Sequence, residues 1–261
     1  MSASEAVLLR QDRDGIARLT LNRPAQRNAL SVELMGALQE ALDAIARDRK
    51  VKLVVISANG PGFCAGHDLR EMRANPGRQH YEALFARCSR LMVSLTKLPQ
   101  PVIARVHGIA AAAGCQLVAS CDLAVASSAA RFAVNGINIG LFCSTPMVAL
   151  TRAVGRKPAM EMLLTGDLVE AEQAKAIGLV NRVVPPERLD EEVDALARQI
   201  AGKLTLAVAM GKEAFYRQAE LGLEAAYAFT SDVMTKNMLA RDTEEGVDAF
   251  LEKRQPRWNN E

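Results

Sequence analysis

Aromatic residues are scarce in this chain: phenylalanine, tyrosine and tryptophan together make up 4% of its 261 residues. A surface that stacks nucleic-acid bases needs aromatics beside a basic groove, and a net charge of +2 gives little sign of one. No nucleic-acid partner is expected. No apolar run reaches the roughly 18–20 residues that a membrane span requires, so no membrane partner is expected either. Met1-Ser2-Ala3-Ser4-Glu5 lacks the charged-then-apolar pattern of a signal peptide, and the predicted location is cytoplasmic. The cysteines (Cys64, Cys88, Cys115, Cys121 and Cys143) are odd in number, mostly embedded in apolar runs, and without paired zinc-type spacing. Buried thiols in a reducing compartment fit that pattern, and no metal site is expected. No glycine-rich phosphate loop or GxGxxG is present, which argues against nicotinamide and ATP.

What is abundant is apolar aliphatic material. Hydrophobic residues make up 49% of the chain, ample for one large core with a dependent part. Residues 6–11 and 16–21 read as two strands joined by Asp14-Gly15, a favoured hairpin turn. Ser31 caps a predicted helix carrying Met35, Leu38, Leu42 and Ile45 at spacings of three and four. Residues 52–57 form a buried strand without alternation, as in a parallel sheet. Residues 69–79 read as a charged loop, and a second amphipathic helix carries Leu84, Cys88, Leu91 and Leu95. Strands are predicted at 101–107, 122–127, 131–134 and 179–184, with a hydroxyl-capped helix starting at Ser144-Thr145-Pro146. From about Arg188 only helical patterns remain, at 205–219, 223–238 and 243–253. The predicted division is therefore a core over residues 1–201 and a helical region over 202–261, which packs on the body or on a neighbouring subunit.

Two short stretches carry the chemistry. In one, the strand 101–107 runs through Gly108 and the small residues 109–114 into a helix beginning near Cys115. In the other, Gly62-Phe63-Cys64-Ala65-Gly66-His67-Asp68-Leu69 likewise passes from a strand through small residues into the next element. A strand followed by unobstructive side chains and a helix start bares backbone N–H groups to a negative oxygen. Two such donors aimed at one point make an oxyanion hole.

These stretches resemble the crotonase (enoyl-CoA hydratase/isomerase) superfamily. The match is carried in order by Asn22-Arg23-Pro24, Arg27-Asn28-Ala29-Leu30, Phe63 to Leu69, Ala113-Gly114-Cys115-Gln116-Leu117, Cys121-Asp122, Leu164-Thr165-Gly166, Ala174 to Leu179 and Phe250 to Arg254. The resemblance implies an α/β spiral of strand–strand–helix turns with a C-terminal helical trimerisation region, as a homotrimer or hexamer. It also implies an acyl-coenzyme A ligand, with coenzyme A entering as part of the substrate and no separate cofactor. The thioester oxygen would be held by the amides of Ala65 and Ala113. Arg27, Gly66, His67, Asp68, Leu69, Asn135, Asn138, Phe250 and Lys253 would line the ligand, the last two often from a neighbouring subunit.

The chain departs from the family at its two glutamates. One maps to Gln116, an amide that positions a water but cannot take its proton. The other maps to Gly136, which has no side chain. Positioned acid–base groups contribute about 100- to 10,000-fold each, so hydration is expected to be crippled. The chain looks like a divergent subgroup similar to the enoyl-CoA hydratase domain-containing proteins. Two further readings stand beside a nominal enoyl-CoA hydratase: a decarboxylase of malonyl-type thioesters using His67, and a binding protein that keeps the hole without the chemistry. His80 and His107 read as structural, Asn135-Gly136 reads equally as a turn, and Glu71 reads as a solvated loop charge. Cys64 and Cys143 lack an evident base and read as inert buried thiols.

Overall fold

The computed structural model describes residues 6–258. The hairpin forms as the turn chemistry requires: β1 (Leu8–Arg13) and β2 (Ile16–Leu21) pair antiparallel. Asp14 and Gly15 both take left-handed φ, 53° and 77°, which suits the right-handed twist of the strands. Ser31 caps α1 (Val32–Arg47) by accepting from the Leu34 amide, and the predicted stripe of Met35, Leu38, Leu42 and Ile45 is buried.

The remaining strands enter in pairs. β3 (Leu53–Ala58) is followed by β4 (Gly62–Cys64), then α2 (Leu69–Ala74) and α3 (Arg78–Lys97). β5 (Val102–Val106) is followed by β6 (Ile109–Ala111) and α4 (Ala113–Ser120). β7 (Leu123–Ser127) and β8 (Arg131–Ala133) lead through a 3₁₀ turn, Asn135–Ile139, into α5 (Pro146–Ala153) and α6 (Arg156–Thr165). β9 (Val169–Glu170), α7 (Ala171–Ala176) and β10 (Arg182–Val184) complete the winding. β3, β5 and β7 join a six-stranded sheet, ordered β1-β2-β3-β5-β7-β10, and their followers β4, β6 and β8 join a four-stranded sheet, ordered β4-β6-β8-β9; in the last pair the order is reversed, β9 completing the smaller sheet and β10 the larger. Each turn of the chain thus adds one strand to each sheet, which is the spiral that the resemblance implied.

Four local expectations are corrected. Residues 109–111 form strand β6, because neighbours β4 and β8 supply hydrogen-bonding edges to a run of small side chains. Residues 69–74 form helix α2 because Asp68 accepts from the Arg70 and Glu71 amides and caps it. Asn135-Gly136 opens a 3₁₀ helix rather than a simple turn. Neither Ser144 nor Thr145 caps α5 through its side chain, although Pro146 does occupy the first helical position.

The C-terminal elements are all helical, as expected: α8 (Leu189–Ala201), α9 (Thr205–Gln218), α10 (Leu223–Met238) and α11 (Arg241–Leu251). α8 lays Leu189, Val193 and Leu196 on the sheet face of Ile16, Leu53, Val55, Ile103 and Val125. Ion pairs flank it, Arg105 with Asp190 at 2.6 Å and Arg182 with Glu192 at 2.7 Å. α9 is tied to the core by Lys212. Its Nζ donates to the carbonyls of Leu95 (2.8 Å) and Gln100 (3.0 Å) and to Asp122 Oδ2 (2.6 Å). By contrast, α10 has no buried residue and displays Leu223, Tyr227 and Met234 at 75%, 66% and 66% exposure.

Candidate active site

The site begins with an asparagine that has no freedom left. Arg27 and Asn28 both adopt left-handed φ, 48° and 55°, a conformation that asparagine tolerates better than most residues. The Asn28 side chain is fully buried; its Oδ1 accepts from the Arg23 amide, and its Nδ2 donates to the Asn59 and Gly62 carbonyls, all at 2.8 Å. This clip holds residues 27–30 against the segment that follows β4. The Ala65 N–H then donates to the Arg27 carbonyl at 3.0 Å, Leu30 N–H to Gly66 at 2.7 Å, and Asp68 N–H to Leu30 at 3.2 Å.

Those bonds correct the expected donor pair. Ala65 is spent on Arg27, so its amide does not face a ligand. Along an extended backbone successive N–H groups point to opposite sides. With Leu30 bonded to Gly66 and Asp68, the N–H of His67 between them points the other way, and it has no acceptor among the described residues.

The Ala113 amide, the other expected donor, is left without an acceptor among the described residues. Ala113 is the first residue of α4, where an amide has no partner within its own helix, and none is recorded elsewhere among the described residues. Its methyl is fully buried in the core, so it does not obstruct the amide. Ala112 precedes it in a strained conformation (φ 49°, ψ −116°), held by donation from its N–H to the Ala133 carbonyl at 2.8 Å and by the Gln116 amide on its own carbonyl at 3.0 Å.

Gly66 packs the one segment onto the other. It has φ 97°, and a Cβ placed on it would lie 3.0 Å from the Ala112 methyl and 3.5 Å from the Ala113 nitrogen. The backbone at 66–67 therefore rests directly on the start of α4. Gly114 makes the matching approach from the other side: its Cβ would meet the Cys64 carbonyl oxygen at 2.1 Å.

Around this pair the side chains are neutral. The His67 ring packs edge-on against Phe85 of α3, centroids 5.6 Å apart at 69°. Burial lowers its pKa from the ordinary 6.5; the nearby Leu30 carbonyl offsets this only in part, and among the described residues neither ring nitrogen has a hydrogen bond of good geometry. Gln116 is 4% exposed, with the Cys88 thiol 3.9 Å from its Oε1. Burial pushes the Cys64, Cys88 and Cys115 thiols up to about 12, which makes them inert at neutral pH. Among the described residues no group of three or more His, Cys, Asp or Glu is placed to hold a metal.

The other expected site residues divide. Asp68 is structural: it accepts from Arg23 at 2.9 Å as well as from the two α2 amides, so its oxygens are committed. Burial raises its pKa, but the Arg23 bond and those amides outweigh this and hold the carboxyl below 3.8. Leu69 is exposed at the start of α2. Glu71, expected in solvent, accepts the Val32 amide at 3.0 Å and so supports the start of α1. Gly136 is buried and has no room for a side chain, since a Cβ there would sit 2.3 Å from the Leu141 oxygen and 2.9 Å from Cys143 Sγ. Asn138 is turned away, donating to the Gly166 carbonyl at 3.4 Å, while Asn135 is half-buried at the opening of the 3₁₀ turn. Arg27 is exposed, and its backbone serves the loop. Phe250, 81% exposed, and Lys253 do not cover the amide pair within one chain. His107 is structural as expected, with Nε2 2.8 Å from the Gly60 carbonyl.

A hollow of about 1160 Å³ lies along α4 between α3, α5 and α9. It reaches Gln116 but neither His67 nor Ala113, so it is not where the amides converge. Sequence reasoning missed Phe85, the Asn28 clip and the His67 amide. The left-handed pair at 27–28 carries a faint signal in Asn28; the His67 amide carries none without knowledge of its strand partner.

Comparison with known proteins gives a consistent picture. A family model described as enoyl-CoA hydratase/isomerase matches residues 11–261. A crystal structure of an enoyl-CoA hydratase from Mycobacterium smegmatis is 58% identical, with a TM-score of 0.96 over 97% of this chain and 99% of the other. The human enoyl-CoA hydratase domain-containing protein 3 is 48% identical over 95% of this chain and 82% of its own length, and its crystal structure superposes with a TM-score of 0.94 over 97% of this chain and 100% of the crystallised one. The human protein and its Xenopus laevis counterpart are named mitochondrial, which overturns the cytoplasmic expectation.

Proposed function

The chain belongs to the enoyl-CoA hydratase/isomerase family of acyl-CoA enzymes, and from that premise we propose that it stabilises a thioester enolate between the backbone amides of His67 and Ala113. The observation that supports this is the close approach of Gly66 to Ala112 and Ala113, next to two N–H groups that have no acceptor among the described residues. A thioester carbonyl oxygen gains negative charge as its α-carbon becomes nucleophilic or its β-carbon is attacked. Fixed amides that need no reorientation stabilise that charge, at roughly 3 kcal/mol per donor.

The proton chemistry is depleted. Gln116 orients a water without deprotonating it, and Gly136 contributes no acid. Hydration of an enoyl thioester is therefore slow in this chain, and binding with polarisation of the carbonyl is its primary competence. Arg27 is an exposed cation suited to coenzyme A phosphates. Decarboxylation of a malonyl-type thioester draws less support, because the His67 ring is neutral and offers no charge to a second carboxylate. The exposed apolar residues of α10, with Phe250 on α11, favour self-association as a trimer or hexamer, in which a neighbour's helices cover the site.

Crotonyl-CoA labelled with ¹³C at the thioester carbon tests the hole directly. A downfield shift of the carbonyl resonance on binding is expected. Tight binding without a shift, or no binding at all, removes the proposal.

A further inference from the structure

The mechanism uses the amide of His67 and leaves its ring unexplained. Both ring nitrogens are buried and, among the described residues, neither makes a hydrogen bond of good geometry, although the Leu30 carbonyl lies near the ring; most buried polar atoms in folded proteins have a partner. The neighbour is Phe85, against which an apolar residue would pack equally well. The segment carrying the ring is fixed on both sides, by Leu30 and by the start of α4, so the ring has a defined place.

We propose that the His67 imidazole is a specificity-determining residue that hydrogen-bonds an uncharged polar group of the thioester ligand. This rests on the amide pair described above. The ring branches from the Cα next to the donor nitrogen, so what it touches lies within a few bonds of the thioester carbonyl. The ring contact recorded among the described residues is to Phe85, and the adjacent carboxylate, Asp68, is committed to Arg23 and the α2 amides. Burial there disfavours an imidazolium. A neutral imidazole offers one donor and one acceptor, which complement a hydroxyl or an amide and not a carboxylate.

Two parts of a ligand supply that chemistry: a hydroxyl on the acyl chain, or the first amide of the pantetheine arm. Calorimetry with wild type, His67→Phe and His67→Gln separates them. If the hydroxyl is the partner, His67→Phe binds 3-hydroxybutyryl-CoA at least tenfold more weakly and butyryl-CoA unchanged. If the amide is the partner, both lose affinity equally, and so does the butyryl thioester of N-acetylcysteamine. His67→Gln, which keeps a donor and an acceptor, recovers most of the loss in either case. His67→Phe binding all three ligands as wild type does, or more tightly, overturns the proposal.

The ¹³C carbonyl shift keeps the two ideas apart. Its absence in wild type sinks the amide pair, whereas a retained shift with no effect of His67→Phe sinks only the role of the ring. Should His67→Phe fail to fold, the ring ¹⁵N resonances of wild type titrated with 3-hydroxybutyryl-CoA and butyryl-CoA decide the matter. Unchanged ring resonances with both ligands overturn the proposal.

Discussion

The backbone N–H of Ala65 donates to the carbonyl of Arg27 at 3.0 Å, and that bond settles which amides are left for a ligand. Once Ala65, Leu30 and Asp68 are paired, the residue between them in the ladder, His67, is the one facing the start of α4. In the proposed hole the second donor stays at Ala113 and the first moves by two residues. The side chain at that donor is then an imidazole rather than a methyl, and this makes the site's polarity a property of His67.

Gln116→Glu places a carboxylate at a position only 4% exposed, where burial raises its pKa and makes it a better base. Hydration of crotonyl-CoA, followed by loss of enoyl-thioester absorbance, is expected to rise by about 100-fold. An unchanged rate, with wild type already brisk, shows that the amide is not what limits the reaction.

Restoring the other carboxylate is expected to fail. A side chain at Gly136 meets the Leu141 oxygen at 2.3 Å and Cys143 Sγ at 2.9 Å. Gly136→Ala alone should cost about 1–3 kcal/mol in chemical denaturation, the usual range for overpacking. Gln116→Glu/Gly136→Glu should be less stable than Gln116→Glu and no faster as a hydratase; a faster double variant shows that the 135–143 strap yields.

Asp68→Asn keeps a capping oxygen for α2 but removes the charged acceptor of Arg23, and is expected to cost about 1–3 kcal/mol at pH 7. The sign with pH follows from the lowered carboxyl. Above 3.8 the folded and unfolded states are both ionised and the full contribution is present. As pH falls below that value the unfolded state takes up its proton first, so the contribution is lost through the folded-state pKa. Urea midpoints of wild type and variant should therefore converge in acid; a constant gap contradicts this role.

Tyr227→Glu introduces a charge into the exposed apolar face of α10, beside Leu223 and Met234. If that face is an interface, light scattering during size exclusion should show a smaller assembly, with helical content retained by circular dichroism. An unaltered assembly places the contact elsewhere.

Much of the architecture follows from local chemistry. Asp14-Gly15 is a turn because both residues tolerate left-handed φ, Ser31 starts α1 because its hydroxyl reaches the Leu34 amide, and Cys88, Leu91 and Leu95 share one face of α3 because a helix repeats every 3.6 residues. The absence of both carboxylates was equally plain, since a residue type needs no coordinates. Other features depended on neighbours distant in the chain. Residues 109–111 are a strand only because β4 and β8 flank them. Gly136 is closed to substitution because Leu141 folds back over it. The first donor of the proposed hole is the sharpest case. Ala65 and His67 lie on the same small-residue bend, and which amide is spent depends on Arg27 and Leu30, 38 and 37 positions earlier in the chain. Hydrogen-bond direction belongs to a pair of segments, so only their packing together assigned it.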